Sequence, residues 1–172
     1  MTRPDARPHR RRRAWHVGVL ACALIVSGCA VADGRSLAIA AADAASSRPC
    51  PAADASGVVT RVNEARRRAG LPGLGSDANL ARIAAARSAG MAFEKRLSHS
   101  GWEHALRRAG LRDDQIGENV AYNYADPEAV MAGWMRSPGH RANILRPAFK
   151  RIGIGCVIDE RGHRWWTQDF AG

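Results

Sequence analysis

The sequence has no Cys-x-x-Cys pair, no Gly-x-Ser-x-Gly segment and no His-Glu-x-x-His segment. The first absence argues against a zinc site built from thiolates, which come in closely spaced pairs. The second means that the strained turn presenting the serine of an α/β-hydrolase is missing. The third removes the arrangement that places two imidazoles on one helix face around a catalytic metal. The chain also has no internal repeat, and we expect a single domain with one ordinary core.

The amino terminus carries the features of an export signal. Four consecutive arginines, Arg10 to Arg13, precede an apolar run from Ala14 to Val26. This run has the length of a signal-peptide core and is too short to span a membrane comfortably. We therefore predict a signal peptide over residues 1–28.

A lipid-attachment motif follows the apolar run. Val26-Ser27-Gly28-Cys29 resembles the lipobox of bacterial lipoproteins, in which small residues enter the peptidase and the cysteine thiol accepts a diacylglyceryl group. We predict a lipid anchor at Cys29, which makes a membrane one partner of the chain and places the protein in the cell envelope. The alternative is an ordinary secretory signal, cut after Ala32, which would give a secreted protein.

Of the other cysteines, Cys22 lies within the predicted signal peptide, and Cys50 and Cys156 remain in the exported part. An exported protein most simply pairs two such cysteines in a disulfide. The closed loop would span about a hundred residues, and the chain-entropy model credits a closure of this length with roughly 4–5 kcal/mol. Two free thiols are the alternative.

The charge of the exported part argues against a nucleic-acid partner. The whole chain has 26 basic and 16 acidic residues, a formal charge of +10. The first 28 residues contain six arginines and one aspartate, so removal of the signal peptide leaves a charge of only +5. The remaining arginines are scattered over predicted helices, as in Arg66-Arg67-Arg68 and Arg107-Arg108, and we interpret them as solvated helix faces.

Residues 29–55 are rich in Ala, Ser, Asp and Pro without a sustained amphipathic period, which predicts a flexible tether. The domain is predicted over residues 56–172. Apolar periodicity and capping residues predict helices that begin at Ser56, at Ser76 or Asp77, at Trp102, at Asp126 and at Ser137.

The carboxyl-terminal part of the chain predicts β-structure. Residues 116–123 form a strand or an extended loop, and residues 152–158 and 164–170 form the two strands of a hairpin. Gly153 and Gly155, within the first hairpin strand, indicate a close backbone approach or a bulge.

Three ionisable side chains, His99, Glu118 and His140, stand in segments that are otherwise apolar, small or helix-capping. They are 19 and 22 residues apart, and this spacing forms no local metal-binding pattern. From the spacing alone, each histidine is interpreted as a hydrogen-bonded structural residue and Glu118 as a cap for backbone N–H groups. Catalysis by paired carboxylates would need a second acid near Glu118: Asp126 is a predicted helix cap, which leaves Asp169, on the last predicted strand, as the candidate.

At these residues the chain resembles the CAP superfamily (cysteine-rich secretory, antigen 5 and pathogenesis-related 1 proteins, also called the SCP domain) in its compact bacterial form. The resemblance covers Ser56 to Gly172. It rests on the order of several short motifs: the first-helix Asn63-x-x-Arg66 pattern, Leu71-Pro72-Gly73-Leu74, His99, Gly117-Glu118-Asn119, Gly139-His140, Ile152-Gly153-Ile154-Gly155 and Trp166-Thr167-Gln168-Asp169-Phe170.

The resemblance implies an α+β fold, a three-layer α-β-α sandwich whose cleft gathers His99, Glu118 and His140. It further implies a lipid, sterol or protein ligand. A divalent metal such as zinc at His99 and His140, with Glu118 as a ligand or as a hydrogen-bond partner of a ligand, is a hypothesis. Many relatives carry a second glutamate where this chain has Ser137, so the constellation of four groups is reduced to three.

The reduced constellation favours binding over catalysis. The alternative is a hydrolase of the peptidase type in which Glu118 or one of the histidines acts as a general base on water, with or without a metal. A third interpretation is purely structural, with the three groups bonded to one another.

Overall fold

A computed structural model describes residues 47–111 and 115–172 of the chain. The predicted signal peptide, Cys29 and most of the predicted tether lie outside these residues. The elements run in the order β1 (Arg48–Pro49), α1 (Ala52–Arg68), β2 (Gly75–Ser76), α2 (Ala78–Glu94), α3 (Trp102–Arg108), β3 (Ile116–Tyr122), α4 (Pro127–Arg136), α5 (Pro138–Ile144), β4 (Arg151–Ile158) and β5 (Arg164–Ala171).

The five strands form one sheet in which β5 lies between β4 and β3. The order across the sheet is β1-β4-β5-β3, and the neighbouring strands in this order are antiparallel. The short strand β2 pairs with the start of β4 in parallel. Strand β3 is therefore an edge strand, and its outer side is available to loops and helices from both layers.

Helix α2 lies directly on β4 because two glycines make room for it. A Cβ atom at Gly153 would overlap the backbone between Leu80 and Ala81, and one at Gly155 would overlap the backbone of Ala84. The predicted close approach at these two glycines is thus confirmed. Together with α3, helix α2 covers one face of the sheet.

The opposite face of the sheet is covered by α1, α4 and α5, over the larger part of the core. The biggest buried apolar side chains there are Trp134, Trp166, Phe149 and Phe170. The predicted three-layer α-β-α sandwich is confirmed.

The guanidinium of Arg66 fixes the end of α1 within this layer. The side chain is fully buried and donates to the carbonyl oxygens of Pro72, Ile144, Arg146 and Phe149. Its interpretation as part of a solvated helix face was therefore wrong. The helical pattern placed Arg66 on α1. Only the fold shows that the end of α5 and the segment before β4 present carbonyl groups to its guanidinium.

The domain begins earlier than residue 56. Strand β1 pairs with β4, Cys50 bonds to Cys156, and α1 begins at Ala52, so the last residues of the predicted tether belong to the fold. Ser56 does not cap α1; it lies in the second turn and its hydroxyl donates to the carbonyl oxygen of Ala53 at 3.1 Å. Because the sheet and the disulfide hold the preceding segment, α1 starts four residues before the predicted position.

The other predicted helix starts are close to the observed ones. Asp77 caps α2 through bonds to the amides of Asn79 and Leu80, and Asp126 caps α4 through the amide of Ala129. Ser137 occupies the cap position of α5, but its hydroxyl makes no capping bond.

The disulfide between Cys50 and Cys156 is formed, with the two Cα atoms 5.4 Å apart. It joins the start of the described chain to β4 across 106 residues of sequence. The predicted pairing is confirmed.

The glycine contacts give a stability test. Gly155→Ala should lower the free energy of unfolding by about 1–3 kcal/mol, because the added methyl group forces α2 away from the sheet. Gly90→Ala is the matched control, since this exposed position in α2 has no atom within 4 Å of an added Cβ. That change should raise stability by about 0.5–1 kcal/mol. Urea unfolding measures both, and equal effects of the two substitutions would contradict the packing argument.

Candidate functional site

The centre of the site is an ion pair between Glu118 on β3 and Arg87 on α2. The Arg87 Nε lies 2.7 Å from Glu118 Oε2, and its Nη2 lies 3.1 Å from Oε1, so the guanidinium grips both carboxylate oxygens. The Glu118 side chain is fully buried and that of Arg87 is 15% exposed. A buried carboxylate is costly unless it is paired and hydrogen-bonded, and this planar, two-point contact meets both requirements.

Arg87 also fixes the loop that carries His99. Its Nη2 donates to the carbonyl oxygen of Ser98 at 2.8 Å, and its Nη1 donates to that of Ser100 at 2.7 Å. The His99 ring then reaches Glu118, with Nδ1 3.0 Å from Oε1. Because a carboxylate only accepts, His99 Nδ1 carries the proton in this contact and Nε2 is left with a lone pair in the neutral ring. The side chain of His99 is 51% exposed.

His140 enters from the opposite layer, on α5. Its carbonyl oxygen accepts a bond of 3.1 Å from the side-chain amide of Asn119, the residue after Glu118. The Asn119 amide also donates to Gln168 at 2.9 Å, and its oxygen accepts from Asn143, also at 2.9 Å. Because successive strand residues point to opposite faces, Glu118 contacts the α2 layer and Asn119 contacts the α5 layer.

The two histidines are near enough to influence each other. Burial lowers the pKa of His140 below its usual value, and electrostatic interaction with His99 lowers it further. The His140 imidazole is therefore neutral at pH 7. The site at the edge of β3 thus offers two imidazoles beside a carboxylate that is already paired; we call it the edge cleft, defined by His99, Glu118 and His140.

A second carboxyl group, Asp169, lies beneath this site. It is directly opposite Glu118 in the β3–β5 register and is fully buried. Within the described residues, neither of its oxygens has a hydrogen-bond partner. Burial raises the pKa of Asp169 to about 8, with a further rise from the charge of Glu118, which Arg87 opposes. At neutral pH Asp169 is consequently an uncharged acid in the sheet.

For a divalent metal, the edge cleft offers two imidazoles beside a carboxylate that is already paired. Glu118 does not suit direct ligation, because Arg87 holds both of its oxygens. It does suit the role of hydrogen-bond partner to His99, an arrangement in which a carboxylate orients a metal-binding imidazole. Residues His99 and His140 would then hold the ion. Among the residues that the structure describes, the ligand atoms of His99, Glu118 and His140 do not all lie within 4.8 Å of one another.

Among the described residues, the potential ligand atoms of Cys50, Asp54 and Cys156 do lie within 4.8 Å of one another. Both sulfur atoms belong to the disulfide, so this group offers no thiolate. The metal hypothesis at the edge cleft stays a prediction.

Sequence reasoning missed Arg87, the residue on which the edge cleft is built. It occupies a core-facing position in the apolar pattern of α2, and a charged residue in such a stripe needs a buried partner. A charged residue within an apolar stripe was therefore the feature of the sequence that could have indicated a buried ion pair. The other two described histidines lie apart from the contacts given above: His163 bonds to Tyr122 beside the β4–β5 turn, and His104 lies on α3.

The fold and the edge cleft define the class of protein, an α-β-α sandwich with a polar site at the edge of its sheet. A family model, CAP (Cysteine-rich secretory protein family), matches residues 59–170. The chain belongs to this family. The predicted resemblance is confirmed.

Two curated relatives come from Bacillus subtilis (strain 168). The uncharacterized protein YkwD is 37% identical over 120 residues, which cover 67% of this chain and 46% of that protein. The uncharacterized membrane protein YlbC is 30% identical over 118 residues, which cover 66% of this chain and 33% of that protein. The chain thus spans less than half of the length of either relative.

Solved structures have the same fold. An extracellular protein containing a SCP domain from Bacillus anthracis str. Ames is 28% identical with a TM-score of 0.63, covering 69% of this chain and 40% of that one. An outer surface protein from Borrelia burgdorferi is 17% identical with a TM-score of 0.59, covering 66% of this chain and 88% of that one. Within residues 47–111 and 115–172, no helix is sufficiently long and apolar to cross a membrane.

The ion pair gives a double-mutant test. Arg87→Met should cost about 3–5 kcal/mol of unfolding free energy, because it leaves the Glu118 carboxylate buried without its partner. The double variant Arg87→Met/Glu118→Gln should recover a large part of this loss. Arg82→Met on the same helix, where the side chain is exposed, is the control and should change stability by less than about 0.5 kcal/mol. Additive losses in the double variant would contradict the coupling.

Asp169 gives a pH test. Its folded pKa is raised to about 8 from the ordinary 3.8, so its contribution to stability is present below pH 3.8 and is lost as the pH rises through 8. Asp169→Asn, which does not titrate, should therefore gain stability over the wild type as the pH rises, with the smallest difference near pH 4 and the largest at about pH 8. Urea unfolding at several pH values measures this. A difference that does not change with pH would refute the protonated state.

Proposed function

We propose that this protein is an exported binding protein of the cell envelope that holds its ligand in the edge cleft. The state of Glu118 carries the proposal. Its carboxylate accepts from Arg87 and from His99, so its basicity is already used in holding the site together. The ring of His99 and the neutral ring of His140 remain as polar groups for a ligand. Such an arrangement suits recognition better than proton abstraction.

Export is supported by three observations. The amino terminus has the arginine cluster, apolar run and Cys29 motif of a lipoprotein signal. The disulfide belongs to an oxidising compartment. The structural relatives from Bacillus anthracis and Borrelia burgdorferi are an extracellular protein and an outer surface protein. We propose that a lipid on Cys29 holds the domain to a membrane, with a secreted form as the alternative.

The ligand is proposed to be a lipid, a sterol or a protein, the classes that the family resemblance implies. The edge cleft adds a chemical requirement, since its two imidazoles provide hydrogen-bond acceptors and donors for the ligand. Nucleic acid is not proposed, because the exported part is only mildly basic.

The competing function is a hydrolase that uses the same three groups. Asp169, the candidate for a second acid on the last strand, lies beside Glu118 in the register, and its proton would let it act as an acid. However, its side chain is fully buried beneath α2, and a catalytic acid must reach the atom that it protonates. Glu118, the candidate base, has no exposed side-chain surface. Both observations favour binding.

A direct test of this choice is a turnover screen with peptide and cell-wall substrates, together with mass spectrometry of the purified native protein. The binding proposal expects a copurified ligand, acylation of Cys29 and no turnover above the Glu118→Gln background. Turnover in the wild type that Glu118→Gln abolishes, with unchanged folding by circular dichroism, would replace binding by hydrolysis.

Zinc titration by calorimetry tests the metal hypothesis. His140→Ala should remove saturable zinc binding, because it deletes one of the two imidazoles. Glu118→Gln should weaken binding about 10–100-fold, as loss of a carboxylate behind a metal-bound imidazole does. His163→Ala, which changes a histidine outside the edge cleft, is the matched control and should bind as the wild type does. Equal heats for wild type and His140→Ala would eliminate the metal site.

A further inference from the structure

The large apolar side chains that stay exposed lie at one end of the sheet. Among the described residues they are Phe93, Leu97 and Tyr122, which are 57%, 47% and 39% exposed. Phe93 is in the last turn of α2, Leu97 is in the loop that follows this helix, and Tyr122 is the last residue of β3. We call these three residues the apolar tip.

Contacts at the end of α2 show that the three residues belong to the same region. Ala92, next to Phe93, packs with Trp165 in one buried cluster. Trp165 is the register partner of Tyr122, and the centroids of their rings are 4.3 Å apart. Leu97 and Tyr122 line a common depression. Single exposed apolar residues need no explanation, but a group of them at one place marks an interaction surface.

The chain enters the domain at this same end of the sheet. Arg48 in β1 pairs with Ile158, the last residue of β4, so Ser47 lies beside the turn that joins β4 to β5. Residues 159–161 of this turn line the same depression as the apolar tip. The segment that precedes the domain therefore joins it next to the apolar tip.

The length of the predicted tether keeps a lipid on Cys29 close to this end. Residues 30–46 separate Cys29 from Ser47, and a flexible chain of this length has an r.m.s. end-to-end distance of about 20–25 Å. Strand β4, with eight residues, is about 26 Å long, and its start marks the opposite end of the sheet. A lipid anchor would therefore hold the membrane nearer to the apolar tip than to the opposite end.

Basic side chains surround the apolar tip. Arg48 and Arg161 are exposed, and within the described part of the chain their guanidinium groups have neither a hydrogen bond nor an ion pair. Lys95 and Arg96 are each balanced by a neighbouring glutamate, at 3.0 and 3.2 Å. The unbalanced charge of these four residues is therefore positive, which complements anionic lipid head groups.

We propose that the apolar tip docks on the surface of the membrane to which Cys29 is attached. The proposal rests on the lipid anchor of the proposed function, which keeps the tip close to the bilayer. Phe93 and Leu97 enter the interface, and the two unpaired arginines meet anionic head groups, as apolar and basic residues do on surfaces that lie in the plane of a membrane. Tyr122, with an apolar ring and a polar hydroxyl, lies at the level of the head groups.

Docking brings the edge cleft close to the bilayer. Glu118 precedes Tyr122 by four residues on β3, a rise of about 13 Å, and His99 follows Leu97 by two residues. A docked domain would therefore meet its ligand at the membrane surface.

The test reports which end of the domain touches lipid. The mature lipoprotein carries one new cysteine, Arg96→Cys beside the tip or Lys150→Cys at the opposite end as the matched control; both positions are exposed. Because Cys29 is acylated and the other cysteines form the disulfide, the new thiol alone takes a nitrobenzoxadiazole label. The labelled protein is reconstituted in vesicles of phosphatidylcholine and phosphatidylglycerol, with and without phosphatidylcholine that carries a nitroxide quencher on its acyl chain.

The emission of the label at position 96 should move to shorter wavelength on reconstitution, and the nitroxide lipid should quench it several-fold more strongly than the label at position 150. Equal quenching at the two positions would show that the domain has no preferred orientation and would overturn the proposal. A shift at position 96 without quenching would mean that protein, and not lipid, covers the tip, and would also overturn it.

Variants assign the docking to the apolar tip. In the Arg96→Cys background, Phe93→Ser and Leu97→Ser should each lower the ratio of docked to undocked protein about tenfold, because each removes a large apolar side chain from the interface. Unchanged quenching in both variants would contradict the assignment. An unchanged melting temperature is required of each variant, so that a loss of docking is not a loss of folding.

A second pair of variants tests the contact with head groups. Arg161→Gln should weaken quenching in vesicles that contain phosphatidylglycerol and leave it unchanged in phosphatidylcholine alone. Arg68→Gln, exposed at the far end of α1, is the matched control and should behave as the wild type does. Equal weakening by the two substitutions would show a general charge effect and refute this contact.

Mass spectrometry of the same preparation separates docking from the anchor on which it rests. A protein without a lipid on Cys29 would refute the anchor, and docking with it. An acylated protein whose label at position 96 is not quenched would refute docking alone and leave the anchor in place.

Discussion

The close contact between α2 and β4 is the constraint on which the rest of the structure depends. With glycine at positions 153 and 155, the helix backbone rests on the strand with no side chain between them. From this helix the Arg87 guanidinium reaches the Glu118 carboxylate in the edge strand β3. The same guanidinium then holds the loop of His99. A helix raised by one layer of side chains would leave Glu118 buried and unpaired, which is a costly state.

The edge cleft forms where two layers that are held independently meet. The α2 layer brings Arg87 and His99, and the α5 layer brings His140 through the amides of Asn119 and Asn143. Strand β3 serves both, because alternate residues point to opposite faces. The His99 ring and the His140 backbone are therefore each held by a hydrogen bond to a buried residue of β3, so part of the site is ordered before a ligand binds. Preorganisation of this kind reduces the entropy lost on binding.

The sequence predicted the elements well and the buried electrostatics poorly. Capping by Asp77 and Asp126 and the close approach at Gly153 are local properties, and each was foreseen from a few residues. The pairing of Arg87 with Glu118 joins residues 31 positions apart, and the protonation of Asp169 depends on the register of β3 and β5. Neither the distance nor the register is present in a local pattern. The start of α1 was missed for the same reason, since a disulfide to a distant strand fixes it.

The disulfide determines how the domain would respond to a pull from its amino-terminal side. The described chain enters at residue 47, and within three residues it is bonded through Cys50 to β4, which β5 supports along its whole length. A tensile force would pass through the sulfur–sulfur bond into the sheet. It would not act on α1 or on the hydrogen bonds that Arg66 makes at the end of this helix. After reduction the same force would act on the two-residue strand β1 and would then peel α1 from its first turn. The disulfide would therefore transmit a pull on the preceding segment directly to the sheet that carries Glu118.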